Sequence, residues 1–197
     1  MATDEKLLGD FVKGDEAAYA QLVSRYQQEL YGFLQRFVGD TAVADDLFQE
    51  TFIQVYRSAA KFDTSRRLKP WLFTIAANKA RDYLRMSQRK TIHSLDGTGG
   101  HQMQQTALLD ILETPGKPVP EDLMQTEDAE AVRKIVSQMP AMYREVLLLS
   151  YFQHFAYKQI AQMLDIPLGT VKSRLHAALA SFAELWRARQ NGKTSAN

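Results

Sequence analysis

A stretch near the C-terminus carries cationic and hydrogen-bonding side chains at the spacing of a helix that reads nucleic acid. Residues 157–176 read YKQIAQMLDIPLGTVKSRLH. In the second half of this stretch, a period of about 100° per residue places Ser173 and His176 on an outward face flanked by Lys172 and Arg174. Short polar side chains at the centre can contact base edges in a major groove, and cations at the edges can contact phosphates. The pattern therefore predicts binding to duplex DNA.

Two helices and a tight turn are needed to position this face. The first helix is predicted from Ala156 to Leu164, and Asp165 tolerates the left-handed backbone that such a turn requires. Pro167 favours the first turn of a second helix, where a missing N–H costs nothing. The second helix is expected to bury Val171, Leu175, Ala178, Phe182 and Leu185. An ordinary helical hairpin is the alternative, but it has no need of a basic, small-residue outer face directly after the turn.

Composition argues against enzymatic and metal chemistry. The chain has 197 residues, 45% hydrophobic and 24% charged, with no cysteine and four scattered histidines. Disulfides, thiolate metal sites and cysteine nucleophiles are excluded, and no cluster of nucleophile, acid and base is evident. We therefore expect no metal, no cofactor and no catalytic activity. Since no apolar run reaches the roughly 18 residues of a membrane span, we expect a cytoplasmic protein without membrane insertion.

The formal net charge of +1 hides a strong partition along the chain. Residues 1–50 carry 4 basic and 10 acidic side chains, and residues 51–90 carry 10 and 2. Residues 91–130 carry 1 and 8, and residues 131–197 carry 9 and 3. Basic segments attract phosphate and acidic segments repel it, so the pattern predicts two nucleic-acid contacts joined by a segment that avoids DNA.

The joining segment mixes Gly, Pro, Gln and acids without sustained periodicity, which is typical of a linker. A structureless loop of this length is uncommon inside one compact domain. We therefore predict a flexible acidic linker at residues 91–126 between a domain at 1–90 and a domain at 127–197. No alternation typical of strands occurs, and the predicted fold is all-α, with the helix-turn-helix in the C-terminal domain.

Helical periodicity is clearest in the N-terminal domain. A first helix is predicted from Glu16 to Val38, and a second helix is capped by Asp40 or Thr41. A third helix is predicted from near Lys69 to about Arg89. The C-terminal domain adds predicted helices from Ala129 to Ser137 and from Pro140 to Gln153.

The third helix is basic on one side and apolar on the other. Its polar positions are Asn78, Lys79, Arg81, Asp82, Arg85, Arg89 and Lys90. Trp71 falls on the apolar stripe, which favours a core anchor over a platform for base stacking. The basic side predicts phosphate contacts.

Two motifs in order give the chain a family resemblance. The segments DDLFQETFIQVYRS, KFD and WLFTIAANKARDYLR precede QMPAMYREVLLLSYFQHFAYKQIAQMLDIPLGTVKSRLH. Together they resemble bacterial RNA polymerase sigma factors of the extracytoplasmic-function type, and the resemblance covers nearly the whole chain. It implies that one domain binds the polymerase clamp and the minus-ten promoter element, and the other binds the minus-thirty-five element. It further implies three partners, namely RNA polymerase core, promoter DNA and an anti-sigma factor.

The resemblance also implies roles for individual residues. The implied polymerase-binding residues are Asp45, Asp46, Gln49 and Glu50. The implied minus-ten residues are Arg66, Arg67, Lys69, Asn78, Lys79, Arg81, Arg85 and Arg89, where the loop at residues 63–68 would capture a flipped base. The implied minus-thirty-five residues are Thr170, Lys172, Ser173, Arg174 and His176. Taken alone, the acidic face of the second helix would suit a solvated surface equally well.

The chain departs from the family pattern in two places. The sequence RRLKPW before Trp71 leaves the identity of the captured base open. Alanines follow His176 where the family commonly has arginines, which predicts weaker phosphate anchoring by that half of the helix. The alternative to a sigma factor is an autonomous helix-turn-helix transcription factor that binds duplex DNA without polymerase core. Response regulators of that kind carry a βα receiver domain, which has no counterpart in the strandless N-terminal half.

Overall fold

The computed structural model describes residues 2–94 and 127–194, and every regular element in these two ranges is helical. The linker predicted at 91–126 lies outside the described residues, apart from the end of one helix. The N-terminal helices are α1 (Asp4–Val12), α2 (Glu16–Val38), α3 (Thr41–Ser58) and α4 (Leu68–Ser94), with a 3-10 turn at Ala59–Lys61. The C-terminal helices are α5 (Glu127–Gln138), α6 (Ala141–Leu147), α7 (Tyr157–Leu164) and α8 (Leu168–Thr194), with a π-helical turn at Leu148–Phe152 after α6.

Capping residues fix the ends of α2 and the start of α3. The carboxylate of Asp15 accepts hydrogen bonds from the first backbone N–H groups of α2. Gly39 ends α2 in the left-handed region, with φ of 78°, and Asp40 then accepts from the backbone N–H of Val43 at 3.0 Å. Asp15 thus satisfies free N–H groups at the start of α2, and Gly39 supplies the left-handed residue that ends it. The predicted span from Glu16 to Val38 is confirmed.

The N-terminal core forms around α2, with α3 and α4 packed against it. Its largest fully buried side chains include Leu22, Leu30, Phe33, Leu34, Phe37, Leu72 and Phe73. Burying each of these contributes about 1.5–3 kcal/mol, so the core holds α3 and α4 at fixed positions. The polar faces of these two helices are thereby presented side by side.

Helix α1 was not predicted from the sequence. It buries Leu7 and Leu8, and the hydroxyl of Tyr26 donates a hydrogen bond to the carboxylate of Asp4 at 2.5 Å. The guanidinium of Arg25 also pairs with Asp4. An apolar pair and a carboxylate therefore attach α1 to α2.

The helix-turn-helix forms as predicted, with small shifts at its boundaries. Asp165 adopts the left-handed conformation, with φ of 52° and ψ of 50°. Pro167 precedes α8 instead of lying in its first turn, since α8 begins at Leu168. The prediction that Phe182 and Leu185 are buried is wrong: both are only partly buried and pack at the edge of the core.

Candidate nucleic-acid and protein interfaces

An acidic face lies on the outer side of α3. Its members are Asp45, Asp46, Gln49 and Glu50, and all four side chains are exposed. Leu47 and Phe52 on the opposite side of the helix are buried in the core. The carboxylate of Glu50 pairs with the ammonium of Lys79 on α4 at 3.0 Å. The face is rigidly supported and open to a basic partner.

Two large apolar side chains extend this acidic face and were missed in the sequence. Ile53 and Tyr56 are 50% and 54% exposed. They lie four and seven residues after Gln49, so they continue the side of the helix that carries Gln49. The Tyr56 ring also packs on Phe11 of α1, with ring centroids 4.9 Å apart. An exposed aliphatic and aromatic pair is more informative than a single exposed apolar residue, because it adds a desolvation-driven contact to a charged surface. The signal available in the sequence was an apolar residue out of phase with the buried stripe.

The cations of α4 and the preceding loop fall into two groups. Arg66, Arg67, Arg85 and Arg89 have exposed side chains, as does the neutral Asn78, whereas Lys69, Lys79 and Arg81 are half-buried. The half-buried cations all have acidic partners. The ammonium of Lys69 lies 2.5 Å from the carboxylate of Glu29, Lys79 pairs with Glu50, and the Nε of Arg81 lies 3.1 Å from the carboxylate of Glu145. Two of the exposed cations also have acidic neighbours, since Arg66 lies 3.4 Å from the carboxylate of Asp63 and Arg85 lies 3.8 Å from that of Asp82. The two groups therefore differ in their exposure to solvent.

A cleft of about 670 Å³ opens between α1, α2 and the loop before α4. Arg66, Arg67 and Lys69 line one side of it, and Asp4, Glu5 and Arg25 line the other. The backbone N–H of Leu68 donates to the carboxylate of Glu5 at 2.9 Å, which attaches the end of the loop to α1. The acidic wall was not predicted, because α1 itself was not.

The loop that forms this cleft is held by its own hydrogen bonds. The backbone N–H and the hydroxyl of Ser65 both donate to the carboxylate of Asp63, at 3.0 and 2.7 Å. These bonds lower the pKa of Asp63, with a smaller contribution from Arg66. Trp71 packs on Phe62 with ring centroids 4.7 Å apart and is partly buried, in keeping with an anchor at the base of the loop.

The outward face of α8 presents the predicted side chains. Lys172, Ser173 and His176 are exposed, and Thr170 and Arg174 are partly exposed. Val171 and Leu175 lie on the buried side of the helix. The hydroxyl of Ser173 donates to the carbonyl of Thr170 at 3.1 Å, so its oxygen lone pairs remain available to an external donor. The face has the chemistry of a groove-reading helix.

Glu145 is a buried carboxylate that links the two sets of predicted DNA-binding cations. Its residue is 2% exposed, and Arg81 of α4 approaches it from the N-terminal domain. Burial raises its pKa to about 7, and the attraction of Arg81, Arg174 and Arg85 only partly offsets this effect. Glu145 was not predicted to be functional, although an acid directly before an apolar run was a usable signal in the sequence.

Within residues 2–94 and 127–194, no group of three or more potential metal ligands is present. In the same ranges, none of the helices is both long and apolar enough to cross a membrane.

Comparison with known proteins gives consistent matches in both domains. Residues 22–90 match the family model for Sigma-70 region 2, and residues 129–182 match that for Sigma-70, region 4. The chain is 32% identical over 177 residues to the ECF RNA polymerase sigma factor SigW of Bacillus subtilis, covering 87% of this chain and 90% of that protein. It is 31% identical over 178 residues to the ECF RNA polymerase sigma-E factor of Escherichia coli, covering 89% and 90%.

Two solved structures have a similar fold. CnrH, in complex with the cytosolic domain of CnrY, aligns with a TM-score of 0.66 at 22% identity, over 94% of this chain and 97% of CnrH. The sigma factor RpoE of Bartonella quintana, in complex with the anti-sigma factor NepR, aligns with a TM-score of 0.64 at 23% identity, over 86% and 96%. These TM-scores support the helical fold with its two domains.

Proposed function

Because this chain belongs to the extracytoplasmic-function sigma factors of bacterial RNA polymerase, we propose that it directs the polymerase core to promoters through three of its surfaces. The acidic face of α3 binds the core, the cationic side of α4 with its loop binds the minus-ten element, and the outward face of α8 binds the minus-thirty-five element. The chain supplies sequence choice and the core supplies catalysis, so the chain itself catalyses no reaction and acts in the cytoplasm, where the polymerase works.

The exposed acidic face of α3 is the observation that carries this proposal. Its carboxylates would repel DNA, so an autonomous DNA-binding protein gains nothing from placing them beside the cations of α4. A basic helical surface on the polymerase is complementary in charge, and Ile53 and Tyr56 add apolar area to the same contact.

The cleft beside the loop supports the minus-ten assignment. A flipped nucleotide needs a pocket for its base and cations for its phosphate. Arg66 and Arg67 provide exposed cations on one wall, beside Lys69, which is paired with Glu29. On the opposite wall, Asp4 and Glu5 provide carboxylates, which can accept from the exocyclic amino groups of bases.

Control by an anti-sigma factor belongs to the same proposal. The Bartonella quintana protein of similar fold was solved in complex with an anti-sigma factor. A partner of that class would act by covering the acidic face of α3 or the DNA-binding faces of α4 and α8.

A charge reversal on α3 tests the polymerase contact. Asp46→Lys should abolish binding to the RNA polymerase core while leaving helicity unchanged in circular dichroism, because the side chain is exposed. Asp46 is preferred to Glu50, whose replacement would also remove the partner of Lys79. Glu184→Lys, an exposed charge reversal on α8, is the matched control and should leave core affinity intact.

Two outcomes would count against the proposal, and the second would favour its alternative. Unchanged core affinity of the Asp46→Lys protein would remove the assignment of this face. Tight, sequence-specific duplex binding by the free chain would favour an autonomous transcription factor.

A further inference from the structure

The end of α1 and the end of α3 border an open depression, here called the α1–α3 depression. It has a volume of about 270 Å³ and is lined mainly by apolar side chains. Its lining residues are Phe11, Val12, Gly14, Glu16, Tyr56, Ala59 and Ala60. Pockets that hold drug-sized ligands measure about 300–1,000 Å³. The depression is therefore better suited to one or two side chains of a protein partner than to a small molecule.

Three exposed apolar side chains lie at or beside this depression. Val12, Ile53 and Tyr56 are 48%, 50% and 54% exposed. Val12 and Tyr56 line the depression, and Ile53 lies three residues before Tyr56 on α3. Among the side chains that the structure describes, the other large apolar ones with comparable exposure are Met86 and Met142. A single exposed apolar residue is common on protein surfaces, but a group of them around a depression indicates a contact site.

Aromatic packing fixes the walls of the depression. The centroid of the Phe11 ring lies 4.6 Å from that of Tyr19 and 4.9 Å from that of Tyr56. The Tyr19 and Tyr56 rings meet edge to face at 5.6 Å, and the hydroxyl of Tyr19 donates to the carbonyl of Phe52 at 2.5 Å. Tyr56 is therefore held by two rings although half of it remains exposed. A side chain that is already held loses little conformational entropy when a partner covers it.

The depression continues the proposed polymerase contact along α3. Asp46, Gln49, Ile53 and Tyr56 follow one another at intervals of three or four residues, so they form one stripe on the helix. At a rise of about 1.5 Å per residue, Asp46 and Tyr56 are roughly 15 Å apart along the helix axis. A partner helix that pairs with Asp46 and follows the stripe therefore reaches the depression.

The acidic face needs an apolar centre to form a stable contact with a protein. Stable interfaces bury roughly 800 Å² on each partner and have an aromatic-rich apolar core inside a polar rim. The acidic face consists of four polar residues, so it supplies part of a rim and no core. Val12 and Tyr56 supply apolar area, and the depression between them is the kind of pocket in which the strongest contacts of an interface lie.

Position, and not charge, identifies the occupant of the depression. Lys13 and Arg57 are exposed next to its walls, and so is Glu16, so the surrounding charges have both signs. The α1 wall precedes residue 22, where the match to Sigma-70 region 2 begins. The stripe on α3 nevertheless connects this wall directly to the acidic face.

We propose that the α1–α3 depression is the apolar anchor of the polymerase contact, and that it takes up an aliphatic or aromatic side chain from the core surface that binds the acidic face. Helix α1 thereby becomes part of the contact, and Val12 and Tyr56 pack on the inserted side chain. This inference rests on the proposed function, because it assigns the acidic face of α3 to the polymerase core.

Neutral polar replacements in the depression test the inference. Val12→Asn and Ala60→Gln alter exposed residues and keep the net charge, so helicity in circular dichroism should be unchanged. Each should weaken binding of the full chain to RNA polymerase core roughly tenfold, as for a residue near the centre of an interface. The loss should be the same at low and high salt, because the contact is apolar. Met86→Asn, at an exposed apolar residue of α4, is the matched control and should leave core affinity unchanged.

The same titrations distinguish failure of the inference from failure of the proposed function. Unchanged core affinity of both depression variants would overturn the inference, as would a loss that disappears at high salt. If Asp46→Lys abolishes core binding while the depression variants bind normally, the acidic face remains the contact and the inference alone is wrong. If Asp46→Lys also binds normally, the proposed polymerase contact is wrong as well.

Photocrosslinking identifies the molecule that occupies the depression. The chain contains no cysteine, so Val12→Cys introduces a single thiol to which a benzophenone maleimide can be attached. Irradiation with polymerase core should join the labelled chain to a core subunit, and the additional change Asp46→Lys should abolish this adduct. The same label on Glu184→Cys is the control and should give no adduct with that subunit. Absence of a core adduct from the Val12→Cys protein, or an adduct that joins two copies of this chain, would contradict the inference.

Discussion

Replacing Arg144 by lysine should strongly destabilise the protein, although the substitution keeps the positive charge. The Arg144 guanidinium donates to three backbone carbonyls, those of Phe37, Ser137 and Met139. The first two carbonyls lie in the last turns of α2 and α5, where helices leave carbonyls without internal partners. One buried cation therefore caps two helix C-termini at once.

The expected loss follows from the number of bonds. Hydrogen bonds to a charged group contribute about 1.5–3 kcal/mol each. A lysine ammonium is a point donor and cannot span three acceptors arranged around a planar fork, so one or two bonds are lost. Arg144→Lys should lower the free energy of unfolding by about 2–4 kcal/mol, and the thermal midpoint by roughly 5–15 °C for a chain of this size.

Urea denaturation followed by circular dichroism measures this change. Arg57→Lys, an exposed replacement of the same kind on α3, is the control and should lie within about 0.5 kcal/mol of the unsubstituted protein. A loss below about 1 kcal/mol for Arg144→Lys would refute the capping argument.

Three further predictions concern the cleft, the buried carboxylate and the outward face of α8. Glu5→Ala leaves the N–H of Leu68 without its acceptor and should weaken single-stranded DNA binding by loosening the loop. Glu5→Gln keeps an acceptor and should retain most of the affinity. Equal affinities of the two variants for single-stranded DNA would contradict this. Because Glu145 has a pKa raised from 4.5 to about 7, it favours the folded state at low pH, and its contribution is lost as the pH rises from about 4.5 to 7 and stays constant above. In Glu145→Gln, the free energy of unfolding should change with pH by up to about 3 kcal/mol less than in the unsubstituted protein. An unchanged pH profile would count against burial of Glu145 as the cause. Lys172→Ala should weaken duplex binding and reduce its salt dependence by about one counterion, whereas His176→Ala should change the preferred upstream base pairs in a randomised-promoter transcription assay; an unchanged preference would mean that α8 is oriented differently.

Local signals predicted the helices that carry their own caps. Asp15 and Gly39 bound α2, and Asp165 marks the turn before α8, because each acts on the backbone beside it. Helix α1 is an exception, because Thr3 caps it by accepting from the backbone N–H of Lys6 and it was still not predicted. With nine residues its pattern is short, and a helix of this length depends on packing, here on α2.

Contacts between the domains could not be predicted in the same way. Glu145 and Arg144 lie in a run of helical periodicity that gives no indication of which distant residues cover them. The same limit explains Phe182 and Leu185, because periodicity indicates the side of a helix and not whether another element covers its end. The exposed acidic face could be predicted, because polar residues that lie off the buried apolar stripe of a helix face solvent.

The two tryptophans of the chain lie one in each domain. Trp71 packs on Phe62 beside the loop that borders the cleft, and Trp186 stacks on Phe182 near the end of α8. Emission from single-tryptophan variants would therefore report on the two domains independently, without any attached dye. The Trp71 signal would follow occupancy of the cleft in real time, and the Trp186 signal would follow the fraying of the last turns of α8.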